Sequence, residues 1–209
     1  MKNIFIVIPC YKSKGKVWKV VKSIENISRK LSNSYQFFTI VVNDDCPFNS
    51  WEEIEEYSNI KVIHNQKNLG VGASTIKGFK LALERGADAV IKLDSDGQHS
   101  PSYLENIIPY LFSIPKSETL LIKGSRYLYR INFDNIPLAR KIGSIFLEPI
   151  ARVALSSRDL SDITNGFIAM NNLTCRLLVG IKFGPKLCDR YLFESSLLVR
   201  SVFFDIPIN

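Results

Sequence analysis

Two carboxylates at i and i+2, followed by a glycine and an amide, are the residues of this sequence best equipped for chemistry: Asp94-Ser95-Asp96-Gly97-Gln98. Hard oxygen donors of this kind suit Mg²⁺ or Mn²⁺, which keep their remaining positions for water and substrate phosphates. Gly97 lets the chain bend, so that Asp94, Asp96 and the Gln98 side-chain carbonyl can converge. The same turn could instead cap the next helix. A second acidic cluster is Asn43-Asp44-Asp45. A carboxylate there can accept from a nucleobase N–H or a ribose hydroxyl, or the segment can be an Asx turn leading to Pro47. The third cluster, Asn68-Leu69-Gly70-Val71-Gly72, lacks the third glycine and the first-strand position of a dinucleotide fingerprint. A helix N-terminus there could face a phosphate, or Gly72 could serve close helix–sheet packing.

These clusters are useful only if other elements bring them together. Ile4 to Ile8 is a continuous apolar run rich in β-branched residues, as in a strand buried on both faces. Phe37 to Val42, Ile60 to Ile63, Ala89 to Leu93 and Leu120 to Ile122 repeat that pattern. Between them, Val17, Val20, Val21, Ile24, Ile27 and Leu31 recur at helical spacing. A short acidic helix is expected over Trp51 to Tyr57, a longer one from Asn68 to about Arg85 with Gly86 as its stop, and a third opened by Pro101. Strictly alternating strands and helices predict an α/β fold with a doubly wound parallel sheet. Right-handed crossovers then put the loops after the strands on one edge, where such sheets bind ligands. All three clusters follow strands, so they would meet in one crevice.

Beyond Lys123 the alternation fades. Residues 125–136 read as a loop, and Leu138 to Leu155 as a long helix bent at Pro149. Asn165-Gly166 is a turn signal within Ile163 to Met170. Tyr191 to Val199 reads as a helix and Ser201 to Ile208 as a final strand.

Composition narrows the function classes. The chain has 209 residues, enough for one sizeable domain, and no apolar run approaches the roughly 18 residues of a membrane span. No signal peptide is legible at the N-terminus. Cys10, Cys46, Cys175 and Cys188 form no C-x-x-C pair and only two histidines are present, which argues against structural zinc and for reduced thiols. The net charge is +7. Lys123, Arg126, Arg130, Arg140, Lys141, Arg152 and Arg158 lie in one stretch opposed only by Asp134 and Glu148. That stretch is either a solvated face or a surface that meets phosphates.

The clusters, in order, resemble a known family. Ile8-Pro9-Cys10-Tyr11, Asp44-Asp45, Asn68-Leu69-Gly70-Val71-Gly72, Asp94-Ser95-Asp96-Gly97-Gln98-His99, Gly124-Ser125-Arg126-Tyr127 and Asp162-Ile163-Thr164-Asn165-Gly166-Phe167 are similar to the motifs of inverting family-2 glycosyltransferases. Within that family the chain looks most like polyprenyl-phosphate sugar synthases of the dolichyl-phosphate mannose synthase type. The resemblance implies a GT-A fold with a Rossmann-like, mostly parallel central sheet and flanking helices. It also implies a nucleoside-diphosphate sugar donor (UDP- or GDP-hexose), Mg²⁺ or Mn²⁺, a polyprenyl phosphate acceptor and a membrane surface, with no nucleic acid. Pro9, Tyr11 and Asp44 would line the base and ribose pocket. Ser95 would join Asp94 and Asp96 in holding the donor. Asp94, Asp96 and Gln98 would serve the metal, directly or through the diphosphate. Arg126 would reach a phosphate, Arg140 and Ser144 match acceptor-phosphate positions, and Asp162, Thr164, Gly166 and Phe167 would border the donor sugar.

The chain departs from the family where Asn-Glu usually follows Pro-x-Tyr: here it has Lys12-Ser13. It also has Asn43 and Asp45 where Asp and Gly are usual. The resemblance reads residues 1–209 as a single catalytic domain, 1–123 for the donor and 124–209 for the acceptor. Relatives generally continue beyond this point, many with transmembrane helices, so the chain either ends short of such segments or is a native short form, and it is expected to work at the cytoplasmic membrane face.

The acceptor decides the chemistry. A sugar hydroxyl must lose a proton to a carboxylate base, for which Glu194 is the candidate; otherwise Glu194 is a helix residue pairing with a neighbour. A lipid phosphate is already ionised and needs only orientation, which the basic stretch favours. The rivals are a family-2 transferase acting on a sugar hydroxyl, a nucleotidyl- or phosphoryl-transfer enzyme lacking the usual phosphate loop, and a nucleic-acid-binding domain without a recognisable motif.

Overall fold

A computed structural model of the chain describes residues 1–57, 59–98, 100–125, 165–180, 190 and 192–209. The elements in order are β1 (Lys2–Cys10), α1 (Val17–Lys30), β2 (Tyr35–Asn43), a 3₁₀ turn (Ser50–Ile54) and β3 (Ile60–His64). Then come α2 (Val71–Glu84), β4 (Ala89–Lys92), a 3₁₀ turn (Pro101–Tyr103) leading into α3 (Leu104–Leu111), and β5 (Leu121–Lys123). Beyond residue 164 follow β6 (Ile168–Asn171), α4 (Asn172–Gly180) and α5 (Phe193–Phe203).

The strand order is β3-β2-β1-β4-β6-β5. β1 pairs in parallel with β2 and β4, and β2 with β3. Every residue of β1 from Ile4 to Cys10 is buried, because the strand is covered on both faces. Ile4, Ile6 and Ile8 meet α1 and α3; Phe5 and Val7 meet α2 and, farther along that face, α4 and α5. The α1 stripe of Val17, Val20, Val21, Ile24 and Ile27 is the one its spacing predicts. Burying each such side chain stabilises the fold by roughly 1.5–3 kcal/mol before entropy is counted. α2 approaches β1 through Gly78, where a Cβ would collide with Val7.

The sheet differs from a purely parallel one at β6. This strand runs antiparallel between β4 and β5, pairing Val90 with Met170 and Ile122 with Ala169. Its four residues are all buried. The antiparallel direction matters for function, since the start of β6 lies at the carboxyl ends of the parallel strands. The Asn165-Gly166 turn is thereby delivered to the crevice.

Two expectations need correction. Ser201–Phe203 is the end of α5, not a strand: Ser201 is buried and its hydroxyl donates to Leu197 O at 2.9 Å, in helical register with Phe193, Leu197 and Leu198. Only the tail meets the sheet, where Ile208 bridges Leu121 and Lys123 N donates to Asn209 O at 2.7 Å. The acidic helix at Trp51 is instead a 3₁₀ turn ending at Ile54. The expected helix at Leu138–Leu155 lies outside the described residues.

Candidate functional site: a carboxylate-floored cleft at the strand ends

The ends of β1, β2 and β4 open into a cleft of about 640 Å³. Pro9, Tyr11, Asp44, Asp94, Ser95, Asp96 and Gln98 all line it, together with Gly166, Arg190 and Glu194. Arg126, Arg140, Ser144, Asp162 and Thr164 lie outside the described residues. Phe167 does not reach the cleft: it is buried in the core, where a Cβ on Gly124 would press against it.

The second acidic cluster is occupied by its own surroundings. Asn43 braces the loop that leads to Pro47, its Oδ1 accepting from Cys46 N at 3.0 Å. Asp44 is buried, and its Oδ1 accepts from Asn65 Nδ2 and Leu69 N, both at 2.8 Å. Its Oδ2 accepts from Gly70 N at 2.8 Å. Gly70, at φ 100°, adopts a conformation that favours glycine, and it opens α2 at the cleft. Asp44 therefore shapes the Asn68–Gly70 loop, with three of its roughly four acceptor sites taken.

The first acidic cluster is different. Ser95 is buried, with its hydroxyl 2.5 Å from that of Ser13, so the turn is tied to the loop after β1. Asp96 is half-buried; its Oδ1 accepts from Gln98 N at 2.9 Å. Among the described residues its Oδ2 accepts no hydrogen bond. Asp94 lies against the Gly166 backbone, where any Cβ would strike its carboxylate. Its Oδ1 accepts from Lys92 Nζ at 2.7 Å.

Lys92 is the residue that sequence reasoning missed. It is fully buried at the end of β4. Its ammonium meets Asp94 Oδ1 at 2.7 Å, Glu194 Oε1 at 2.9 Å and Gly166 O at 3.0 Å, which uses all three of its donors. Burial pushes its pKa down, but the carboxylates of Asp94 and then Glu194 outweigh that and hold it above the ordinary value. A signal was available: a lysine inside a strand buried on both faces must be paired. Lys123, the first residue of the basic stretch, is also buried, with its ammonium on Asn165 O. Cys10, in the cleft wall, is held as a neutral thiol, its pKa pushed up to about 12 mainly by burial.

The donor set fits a hard divalent cation. Asp96 offers an open carboxylate oxygen, Gln98 lies beside it, and Asp94 shares the turn. Among the described residues no group of three His, Cys, Asp or Glu side chains could hold a metal alone. Such a site suits Mg²⁺ or Mn²⁺ completed by substrate phosphates.

Comparison with known proteins agrees with this geometry. Residues 5–174 match the model of glycosyl transferase family 2. The chain belongs to that family. This family-2 chain is 30% identical over 187 residues to a dolichol-phosphate mannosyltransferase of Pyrococcus furiosus, covering 88% of the chain and 49% of the relative. It therefore spans about half of that protein. A UDP-N-acetylglucosamine–dolichyl-phosphate N-acetylglucosaminyltransferase of Methanococcus voltae is 31% identical, over 85% of the chain and 72% of the relative. Among solved structures, S. aureus TarS 1–349 superposes with a TM-score of 0.63 at 19% identity, over 100% of this chain and 58% of that one. Glucosyl-3-phosphoglycerate synthase of Mycobacterium tuberculosis, in complex with Mg²⁺ and uridine diphosphate, gives 0.59 at 18%, over 99% and 68%. These likenesses establish the shared GT-A fold.

Proposed function

We propose that this chain transfers a hexose from a nucleoside-diphosphate sugar to a polyprenyl phosphate at a membrane surface, with inversion at the anomeric carbon. The observation that carries the reading is the cleft at the strand ends, where Asp96 keeps an open oxygen beside the Lys92-paired Asp94. Both of the relatives described above are named for transfer to a dolichyl phosphate.

Asp96, with Gln98 and Asp94, would hold Mg²⁺ or Mn²⁺ against the donor diphosphate. When bound, the cation supplies Lewis-acid stabilisation of the departing diphosphate. Tyr11 and Pro9 line the part of the cleft that would take the base and ribose. Arg126, by its sequence position, would add positive charge at the leaving group. Arg140 and Ser144 would hold the acceptor phosphate in line with the anomeric carbon, since an arginine can grip a phosphate with two parallel hydrogen bonds.

A phosphate acceptor fits better than a hydroxyl for a specific reason. A hydroxyl acceptor needs a carboxylate poised to take its proton. Glu194, the candidate for that task, is 6% exposed and its Oε1 is committed to Lys92. No helix among the described residues is long and apolar enough to cross a membrane. Within this chain, membrane contact would be electrostatic, through the basic stretch from Arg126 to Arg158.

The test supplies UDP- and GDP-hexoses with Mn²⁺ to the protein, with dolichyl or undecaprenyl phosphate in detergent. Mass spectrometry should find a hexosyl phospholipid. Transfer to a sugar hydroxyl and none to the lipid phosphate would reverse the choice of acceptor.

A further inference from the structure

We propose that Lys92 is a positioning residue that fixes the aspartate turn relative to Glu194 and so sets the one arrangement in which Asp96 and Asp94 receive the donor's metal–diphosphate. The inference rests on the donor reading above.

Three independent parts of the chain meet at its ammonium. Asp94 belongs to the loop after β4, Glu194 to the first turn of α5, and the Gly166 carbonyl to the turn before β6. All three line the cleft, whereas Lys92 lies beneath it with no exposed surface. Lys92 therefore contacts no substrate and acts only through its partners. Asp94 has little freedom otherwise: Lys92 pulls on Oδ1, and the absent Cβ of Gly166 leaves room for the carboxylate and nothing larger. Asp96 is only two residues away in the same turn. Without the ammonium, Asp94 and Glu194 would lose the cation that they share, at the floor of a cleft that also carries Asp96. Like charges at short range would then push the turn away from α5. The donor's own diphosphate would add to that repulsion.

A buried ion pair can also be merely structural, so the test needs a readout that stability does not move. Lys92→Met removes the charge at nearly constant volume, and is expected to lower the melting temperature. Lys92→Met/Glu194→Gln restores much of the charge balance and keeps the test valid where the single variant fails to fold. Mn²⁺ affinity is read by electron paramagnetic resonance with saturating UDP or GDP, in the wild type, in Glu194→Gln and in the double variant. The expected result is a double variant that melts near Glu194→Gln but binds Mn²⁺ at least tenfold more weakly, with kcat reduced more than donor KM is raised. Mn²⁺ affinity and kcat within twofold of Glu194→Gln would overturn the proposal and leave Lys92 a structural pair. A wild type that binds neither Mn²⁺·UDP nor Mn²⁺·GDP would overturn the donor reading itself, on which the proposal rests.

Discussion

Asp44 and Asp96 look alike in the sequence and differ in the structure. Both follow a buried strand, both line the same cleft, and both belong to a polar triplet. Asp44 is 2% exposed and accepts three hydrogen bonds from Asn65, Leu69 and Gly70. Asp96 is half-buried and accepts one, from its own turn. A carboxylate at a strand end is thus not a site by virtue of its place. What distinguishes the two is how many lone pairs the surrounding chain has already taken. The first holds a loop in shape; the second has an oxygen left for a ligand.

That contrast can be broken by mutation, and the largest effect is expected at Asp96. Asp96→Ala should cut turnover by about 10³-fold, the scale of losing a key electrostatic stabiliser, while leaving the melting temperature nearly unchanged. Turnover within tenfold of wild type would remove Asp96 from the site. Gly166→Ala comes next, because its Cβ would strike the Asp94 carboxylate. Overpacking of this kind costs about 1–3 kcal/mol, and the displaced Asp94 should lower donor affinity as well. A crystal structure of the variant with Asp94 unmoved would contradict this.

Asp44→Asn should show the opposite signature to Asp96→Ala. An amide must present one nitrogen to groups that are all donors, so a buried clash of donors costs about 1–3 kcal/mol. For a chain of this size that lowers the melting temperature by roughly 2–4 °C per kcal/mol, read by scanning calorimetry. Turnover per folded molecule should fall less than tenfold; a loss as large as that of Asp96→Ala would place Asp44 in direct contact with the donor. The smallest effect is expected from Glu194→Gln, under tenfold in kcat for a phosphate acceptor. A thousandfold loss with unchanged Mn²⁺ affinity would restore Glu194 as a base.

Much of the frame was legible from residue patterns. The five apolar runs and the period of α1 placed the parallel strands and their loops, and so predicted that Asp44, Asp94 and Asp96 would share one edge. What escaped depended on long-range pairing. β6 is four residues long, and nothing in Ile168–Asn171 states that it will slip antiparallel between β4 and β5. Without that, the arrival of Gly166 beside Asp94 could not be foreseen. α4 carried a readable start, since Asn171 caps it by accepting from Thr174 N at 3.0 Å, but its short length hid its period. At α5 the β-prone Val202-Phe203-Phe204 outweighed a helical spacing that burial of Phe193, Leu197, Leu198 and Ser201 makes plain. Lys92 sits within the apolar run of Ala89 to Leu93, and its partners come from residues 94, 166 and 194.

The central claim is that the open oxygen of Asp96 serves a metal–diphosphate, and isothermal titration calorimetry tests it most directly. UDP and GDP are titrated into the wild type and Asp96→Ala, each with Mn²⁺ and with a chelator. One of the two nucleotides should bind the wild type at least tenfold more tightly with Mn²⁺, and that gain should vanish in Asp96→Ala. Equal affinity with and without Mn²⁺ in the wild type, or an undiminished gain in Asp96→Ala, would contradict the account.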